Sequence, residues 1–560
     1  MPTQNHIVII GGTACGPKAA ARARRLDPIA RITLIEQREN LSTATCGLPY
    51  FISGVIENKS VMVAREADYF RNVFDMEVLT QTRAINIDRK SRTVEIQNLT
   101  DDTKDSITYD KLVIATGCTP IVPNWEGKDL DGVFTLTGLS DANAIRDHIS
   151  QMDIKDIAIV GAGLIGMEMA ESFVTLGYNV TVIEALDWML PKLLDFEVAA
   201  YVQKHLEDHG VNLLFGQRVT GLEGDTAGRV RKVILENGEV EAGLVLLSLG
   251  VRPNVNLARD AGLTVGETGG IAVNEQLQTS DPDIYAGGDC VENTHLITGD
   301  KVLVPMGSTA NKHGRIIGTN LAGGSDSFTG VLGTGIVKVF EYNVGRTGLT
   351  ELEAQKAGYE TTTVLAPGPE YANYYPGGKQ ILVKLVAETS SGKLRGVQVV
   401  GPGEVAKRID VIVTALTLGG TIENLANLDL SYAPPYNSAM DPLHQAANVI
   451  RNKLTGIAKS LTPMEVKAKL DNSDDFILLD VRGESEWTLL HFDVPQSKLL
   501  PLPELRERMD ELPKNAEIVV FCHTSVRAYQ TQRILEGAGY ENVKFLEGSL
   551  SAWPYDDYLS

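Results

Sequence analysis

A chain of 560 residues is several times longer than one ordinary core requires and predicts three or four domains of about 150 residues each. Its 43% hydrophobic and 22% charged residues are those of a soluble globular protein, and no apolar run approaches the roughly 20 residues a membrane helix needs. A formal charge of −21 opposes general binding to nucleic acid or anionic lipid and leaves room for a local basic patch that grips a phosphorylated ligand.

The opening MPTQNHIVIIGG runs straight into a strand with no basic, apolar leader, so no secretory signal and a cytoplasmic location are expected. The five cysteines, Cys15, Cys46, Cys118, Cys290 and Cys522, are scattered, which argues against a disulfide framework and fits a reducing compartment. HIVIIGGTACGPKAAARARR followed by ITLIE predicts a strand, a glycine turn, an Ala-rich helix and a second strand ending on Glu36. Gly11 permits the tight turn, Gly16 lets the helix pack closely, and Glu36 accepts from a ribose hydroxyl while helix amides face a pyrophosphate. Thr13 stands where the middle glycine of G-x-G-x-x-G belongs.

Some ten residues beyond Glu36, LSTATCGLPY carries Cys46 with no second cysteine close by. An intramolecular disulfide with a near neighbour is therefore not available to it. A redox thiol in that position cycles through a mixed disulfide, a persulfide or a sulfenic acid. Cys15, in the first glycine turn, is expected to be a small packing residue rather than an auxiliary thiol.

A second, cleaner unit follows in DIAIVGAGLIGMEMAESFVTLGYNVTVIEA, with Gly161, Gly163, Gly166 and a strand ending on Glu184. A carboxylate there accepts from a free 2′-hydroxyl and repels a 2′-phosphate, so NADH is expected in preference to NADPH. YDKLVIATGCTP, with Thr116 and Gly117, and TSDPDIYAGGDCVE, with Asp289, resemble the flavin-contacting motifs of the pyridine nucleotide-disulfide oxidoreductase superfamily. The resemblance implies FAD on the first unit and NAD on the second, with Asp289 near the ribityl chain and Cys118 and Cys290 as packing residues. It implies an FAD domain over 1–150 and 271–330 interrupted by an NAD domain over 151–270.

Within that superfamily, Ser42-x-x-Thr45-Cys46-Gly47-Leu48-Pro49-Tyr50 resembles coenzyme A-disulfide reductases and their persulfide-reducing relatives, in which coenzyme A supplies the missing second sulfur. The resemblance covers residues 1 to about 450 and implies CoA contacts at Arg22, Arg25, Ser42 and Thr45. Thr45 replaces the family's usual Asn, and the Val73-Phe74 region lacks a Lys often found there. The same resemblance implies an α+β dimerisation domain over 331–450, a homodimer, and catalytic tyrosines at Tyr374 in ANYYPGG and Tyr432 in SYAPPYNSAMDP. A phenol with a pKa of about 10 is a reasonable proton donor to a departing thiolate.

FILLDVRGESEW, AEIVVFCHTSVRAYQTQRILEGAGY and VKFLEGSLSAW form a separate α/β pattern that resembles rhodanese domains over 463–560. Cys522 ends a strand, the following loop aims backbone N–H groups at its sulfur, and Arg527 adds positive charge, so a persulfide anion is stabilised. A phosphate-embracing loop would need one more residue between Cys522 and Arg527. The family's Gly-His-Ile appears here as Leu490-His491-Phe492.

The expected protein is α/β, with two Rossmann-like domains, a dimerisation domain and a rhodanese domain. Its expected activity is the NADH- and FAD-dependent reduction of CoA disulfide, CoA persulfide or related persulfides and polysulfides, with small-molecule partners and no metal. The alternatives are an NADH oxidase or peroxidase cycling through a sulfenic acid, or a flavin-based redox sensor. Related peroxidases carry a His in the first glycine loop where Ala14 stands here.

Overall fold

The computed structural model describes residues 5–560. The chain forms two compact units, one of residues up to Ala185 with Gln217–Val331, the other of Leu186–Gly216 with Leu332–Ser560.

In the first unit the run HIVII is buried along its whole length, as befits the middle strand of a sheet covered on both faces. Around it the parallel strands run in the order Ile284–Ala286, Lys111–Ile114, His6–Ile10, Arg31–Ile35, Glu77–Leu79. A second parallel sheet repeats the plan with Val133–Phe134, Leu244–Leu247, Asp156–Val160 and Asn179–Ile183. Each parallel sheet is accompanied in sequence by an antiparallel three-stranded meander, Thr82–Asp88 to Lys104–Thr108 and Val219–Gly224 to Gly238–Glu241. Strand Ile284–Ala286 rejoins the first sheet after the second is complete, and Val133–Phe134 joins the second sheet from a position before residue 151.

The helix Cys15–Leu26 buries Ala19, Ala20 and Ala23. Its small side chains let the helix Gly307–Leu321 come almost backbone to backbone: a Cβ on Gly314 would lie 2.4 Å from the Cys15 carbonyl oxygen, and one on Gly318 would lie 2.5 Å from that of Ala19. Both contacts advance in the same direction, so the helices run parallel. The second helix therefore starts seven residues, about 10 Å, ahead of the position facing Cys15.

In the second unit an antiparallel sheet in the order Gly335–Val339, Tyr342–Gly348, Leu394–Gly401, Gln380–Glu388, Thr361–Pro369 carries helices Val405–Thr417 and Pro442–Leu454 on a common apolar core. The C-terminal region forms a parallel sheet, Ser460–Leu461, Val543–Leu546, Ile518–Phe521, Ile477–Asp480, Ser497–Leu499. Buried Glu547 joins the two sheets: its carboxylate accepts the Leu365 N–H at 2.9 Å, pairs with Lys453 and accepts from the Ser460 hydroxyl at 2.6 Å. The edge strand Thr361–Pro369 is thereby capped by a carboxylate instead of being left open.

Lys384 sits among Asp195 at 3.1 Å, Glu197 at 3.1 Å and Glu351 at 2.8 Å. Burial works against its charge, but Glu197, Asp195 and Glu351 outweigh it and hold the ammonium above the ordinary lysine range. Replacing Lys384 by Met would leave three buried or half-buried carboxylates facing one another. Lys384→Met is expected to cost about 3–5 kcal/mol, measured as a lowered urea midpoint of the full-length protein; an unchanged midpoint would show that the carboxylates are neutralised another way.

Candidate active site

The two glycine turns have nearly the same geometry. Gly11 and Gly161 have φ of +112° and +109°, a region closed to other residues. A Cβ on either would strike a strand-end carbonyl, Ala115 O at 2.1 Å or Ser248 O at 2.5 Å. A Cβ on Gly16 would lie 1.9 Å from the Gly11 carbonyl oxygen and one on Gly166 would lie 2.2 Å from that of Gly161, so each helix is drawn onto its own turn. The acidic strand ends match as well: Glu36 Oε2 accepts the Gly12 N–H at 2.6 Å, and Glu184 Oε2 accepts the Ala162 N–H at 2.9 Å. Above Gly163 there is nothing within 4 Å of a Cβ position, which is the bare backbone a pyrophosphate approaches.

At the end of strand Lys111–Ile114, Thr116 and Gly117 are latched to Asn254, which donates to the Thr116 carbonyl oxygen at 2.9 Å and whose own carbonyl oxygen accepts from the Thr116 hydroxyl at 2.7 Å. Gly117 faces open space. Asp289 lies 3.5 Å from Cys118 Sγ, and burial raises its carboxyl. Burial and the Asp289 charge push the Cys118 thiol up to about 12, and Cys15 and Cys290 are buried thiols raised first of all by desolvation. Cys15 packs against Gly287 and Gly288. His313, wholly buried, accepts the Gly288 N–H at 3.1 Å and thereby fixes the residue before Asp289; burial lowers it to about 4, so the ring is neutral.

Cys46 alone of the five cysteines is exposed. It lies in a single 3-10 turn, Thr45–Gly47, ahead of helix Leu48–Ile52. Its Sγ is 4.0 Å from where a Cβ on Gly307 would stand, so the first turn of the long helix Gly307–Leu321, whose free amides attract negative charge, faces the sulfur. Ser42 takes a positive φ of 46° and donates its N–H to the Gly12 carbonyl at 2.8 Å, tying the cysteine loop to the first glycine turn. Tyr50 is raised by burial, by Glu168 and Glu171 and by Cys46, and its helix Leu48–Ile52 packs against helix Leu164–Thr175. Burial and Glu171 push Glu168 up to about 7. Arg22 donates to the Thr319 hydroxyl at 3.1 Å, whereas Arg25 is exposed and its guanidinium lies over the Phe74 ring at 5.2 Å.

In the second unit Tyr374 and Tyr432 are brought together, exposed, with hydroxyls 3.2 Å apart; that hydrogen bond raises the Tyr374 phenol. Fully buried Arg408 holds both loops, donating to the Glu370 carbonyl at 2.5 Å and to Asn437 Oδ1 at 3.3 Å, while Asn437 donates to the Ser431 carbonyl at 3.3 Å. At the C-terminal sheet Cys522 is only 1% exposed. Its N–H donates to Ser549 Oγ at 3.1 Å, and that hydroxyl lies 3.9 Å from Cys522 Sγ. Arg527 reaches toward Cys522 but is gripped by Glu486 through two bonds of 2.7 Å; Arg527 in turn holds Glu486 down at about 2. Phe492 fills the core against Phe521 and Trp553, and His491 pairs its backbone with Ser560. The Asp480-Val481-Arg482 motif is a buried ion pair closed on itself at 2.6 Å.

Residues 5–314 match the family described as pyridine nucleotide-disulphide oxidoreductase. The chain belongs to that family. As a pyridine nucleotide-disulphide oxidoreductase it also matches the family's dimerisation domain over 334–444 and a rhodanese-like domain over 462–555. A CoA-dependent NAD(P)H sulfur oxidoreductase of Pyrococcus furiosus is 39% identical over 453 residues, 80% of this chain and 99% of that one. An NADH oxidase of Methanocaldococcus jannaschii is 36% identical over 448 residues, again 80% of this chain and 99% of the other. The solved structure of an NAD-dependent persulfide reductase from A. fulgidus superposes with a TM-score of 0.93 at 42% identity, covering 98% of this chain and 100% of that one. Among the described residues no helix is long and apolar enough to cross a membrane.

Sequence reasoning did not find Asn254, His313, Glu168, Arg408, Ser549 or Glu486. Glu168 alone carried a local signal, following Gly166 by two residues on a helix whose neighbour Glu171 is also acidic. In the folded protein Glu168 loses its proton near 7 rather than at its ordinary value of 4.5, so folding favours its neutral form. The stability this contributes is complete below the unfolded value and is lost as pH rises through the folded one. Glu168→Gln is expected to match wild-type Tm near about pH 4.5 and to exceed it by several degrees near about pH 8. Scanning calorimetry of the flavin-loaded protein checks this, and a Tm difference that is flat with pH would refute it.

Proposed function

We propose that this oxidoreductase reduces CoA disulfide, CoA persulfide or related persulfides and polysulfides with NADH, and that Cys46 is the sulfur that exchanges with substrate. The observation that carries the reading is that Cys46 is the one exposed cysteine and lies against the N-terminal turn of helix Gly307–Leu321. The bare backbone at Gly163 and the two glycine turns fit two nucleotide cofactors. Gly11, Gly16, Glu36, Thr116, Gly117 and Asp289 would hold FAD, and Gly161, Gly163, Gly166 and Glu184 would hold NADH. FAD, when bound, supplies the relay of an electron pair from NADH to sulfur. Arg22 and Arg25, with Ser42 and Thr45, would grip CoA; the guanidiniums suit its phosphates.

The Cys46 thiolate attacks one sulfur of the S–S bond, a mixed disulfide forms, and the other sulfur leaves as a thiolate. Tyr432 and Tyr374 of a second subunit give that thiolate a proton, with Arg408 as the positioning residue for both loops. The electron pair then breaks the mixed disulfide, releasing the substrate-derived half as a second thiolate and regenerating the Cys46 thiolate. Exposed Tyr374, Tyr375, Tyr432, Tyr436 and Met440 form the kind of apolar patch that a subunit interface covers, which supports a homodimer built on the dimerisation region. Five unpaired cysteines suit a reducing, cytoplasmic compartment.

Cys522 takes up sulfane sulfur as a persulfide and hands it on for reduction at Cys46. Ser549 and the loop amides meet its charge, while the Glu486 partner leaves Arg527 less free to do so than an unpaired guanidinium. The domain limits proposed are 1–150 with 271–330, 151–270, 331–450 and 463–560. A second reading, oxygen reduction through a Cys46 sulfenic acid, is favoured by the exposure of the lone thiol and by the likeness to an NADH oxidase. Comparing kcat/KM for oxygen with that for CoA disulfide and polysulfide decides between them, and a higher value for the sulfur acceptors is expected.

Cys46→Ser is expected to retain its flavin while losing sulfur-acceptor reduction by roughly three orders of magnitude or more; full turnover with CoA disulfide would overturn the assignment. Two unit charges about 4 Å apart cost about 1 kcal/mol in water and about 4 near a partly screened surface, so Glu184 should give NADH at least about a fivefold advantage in kcat/KM over NADPH. Equal efficiency would remove Glu184 from the ribose site. Cys522→Ala should leave reduction of preformed CoA disulfide intact and slow NADH-driven sulfide release from thiosulfate or polysulfide; unchanged release from every donor would make the rhodanese domain a bystander.

A further inference from the structure

Helix Phe196–Asp208 and its C-terminal cap bring His205 and His209 one turn apart on one face, and the tight turn between strands Gly335–Val339 and Tyr342–Gly348 presents Glu341 to them. None of these residues belongs to the sulfur or nucleotide chemistry above. His209 Nδ1 donates to the His205 carbonyl oxygen at 2.7 Å. His205 bonds the Val339 backbone, and because its Nε2 has no hydrogen-bond partner, it does so through Nδ1. In its neutral form each ring carries its proton on Nδ1 and turns an Nε2 lone pair inward. Glu341 Oε2 lies 3.5 Å from His205 Nε2 and 3.0 Å from His209 Nε2.

Three electron-pair donors thus converge within 4.8 Å of one another. They repel unless a proton or a metal cation lies between them. Tetrahedral bonds of about 2.0–2.1 Å set donor atoms roughly 3.3 Å apart, and the two measured separations bracket that value. The rings are also held in place before any ligand arrives. His205 stacks on Tyr342 with centroids 3.7 Å apart and planes 6° apart, and His209 stacks on Phe340 at 4.1 Å and 18°. Backbone carbonyls on the outer nitrogens are the usual outer partners of ligating histidines, since they fix the tautomer and aim the free lone pair.

We propose that His205, His209 and Glu341 form a site for a divalent transition metal of the zinc class. Two imidazoles and one carboxylate suit zinc, cobalt or nickel rather than magnesium or calcium, which take oxygen ligands. Three protein ligands leave a fourth position for water, and Glu341, with 66% of its side chain exposed, lies at the open side. The bound ion ties the end of the helix to the hairpin turn. It stabilises this region in proportion to its occupancy.

The test uses the full-length, flavin-loaded protein after chelation, dialysed against micromolar Zn²⁺, with bound zinc counted by mass spectrometry and Tm followed with and without the ion. Wild type and Cys46→Ser are expected to bind the same additional zinc ion per chain and to gain Tm with it. His209→Gln and the surface change Glu341→Gln should each bind it at least about tenfold more weakly. A zinc-soaked wild-type crystal should show an anomalous peak about 2.1 Å from all three ligand atoms. The proposal is overturned if wild type binds no zinc, if His209→Gln binds it as tightly as wild type, if Cys46→Ser abolishes binding, or if the peak lies elsewhere.

Discussion

The first unit depends on the parallel contact between helices Cys15–Leu26 and Gly307–Leu321. Gly314 and Gly318 remove the side chains that would otherwise keep the backbones apart, so the axial offset of the two helices is fixed by main-chain atoms and not by adjustable side chains. One helix is drawn onto the first glycine turn by Gly16, while the other carries His313 against Gly288 and presents its first turn to Cys46. The placement of the first glycine turn, of Asp289 and of the Cys46 thiol are three outcomes of one close approach. A methyl group at Gly314 or Gly318 would disturb all of them together, though the helices are far apart in sequence.

The first unit is also built twice. Each half has a strand, a glycine at positive φ against a strand-end carbonyl, a helix resting on that glycine, and an acidic strand end that accepts an amide of the turn. The halves differ where Thr13 takes the place occupied by Gly163 in the second. Only in the first half does an added segment, Leu41–Tyr50, return to the turn through the Ser42 amide. The thiol thus belongs to the half whose glycine pattern is incomplete.

The order of elements was legible because β-branched runs, glycine turns and acidic strand ends are local patterns, and Cys46 stood out because its loop has no second cysteine. The rhodanese fold was legible in the same way, since VVFC followed by a helix quotes its own topology. What escaped the sequence acts over long separations. Asn254 fastens Thr116 across 138 residues, Arg408 fastens Glu370 across 38, and Ser549 meets Cys522 across 27. No periodicity announces such partners, because the fold alone makes them neighbours. The segment Leu186–Gly216 shows the same limit: by sequence it continues the second nucleotide unit, yet its Asp195 and Glu197 pack around Lys384 in the other one.

Three cysteines are buried and Cys118 is half-buried, so the exposed Cys46 is the chemically addressable thiol. An alkylating reagent supplied at one equivalent per chain would mark a single position and so convert the protein into a uniformly labelled probe. The same selectivity makes Cys46 the place where wear accumulates. A sulfenic acid formed there has no second cysteine in its loop to condense with and proceeds toward irreversible sulfinic acid unless electrons reach it or a small thiol caps it first. The working lifetime of each molecule therefore depends on the supply of reductant and free thiols around it.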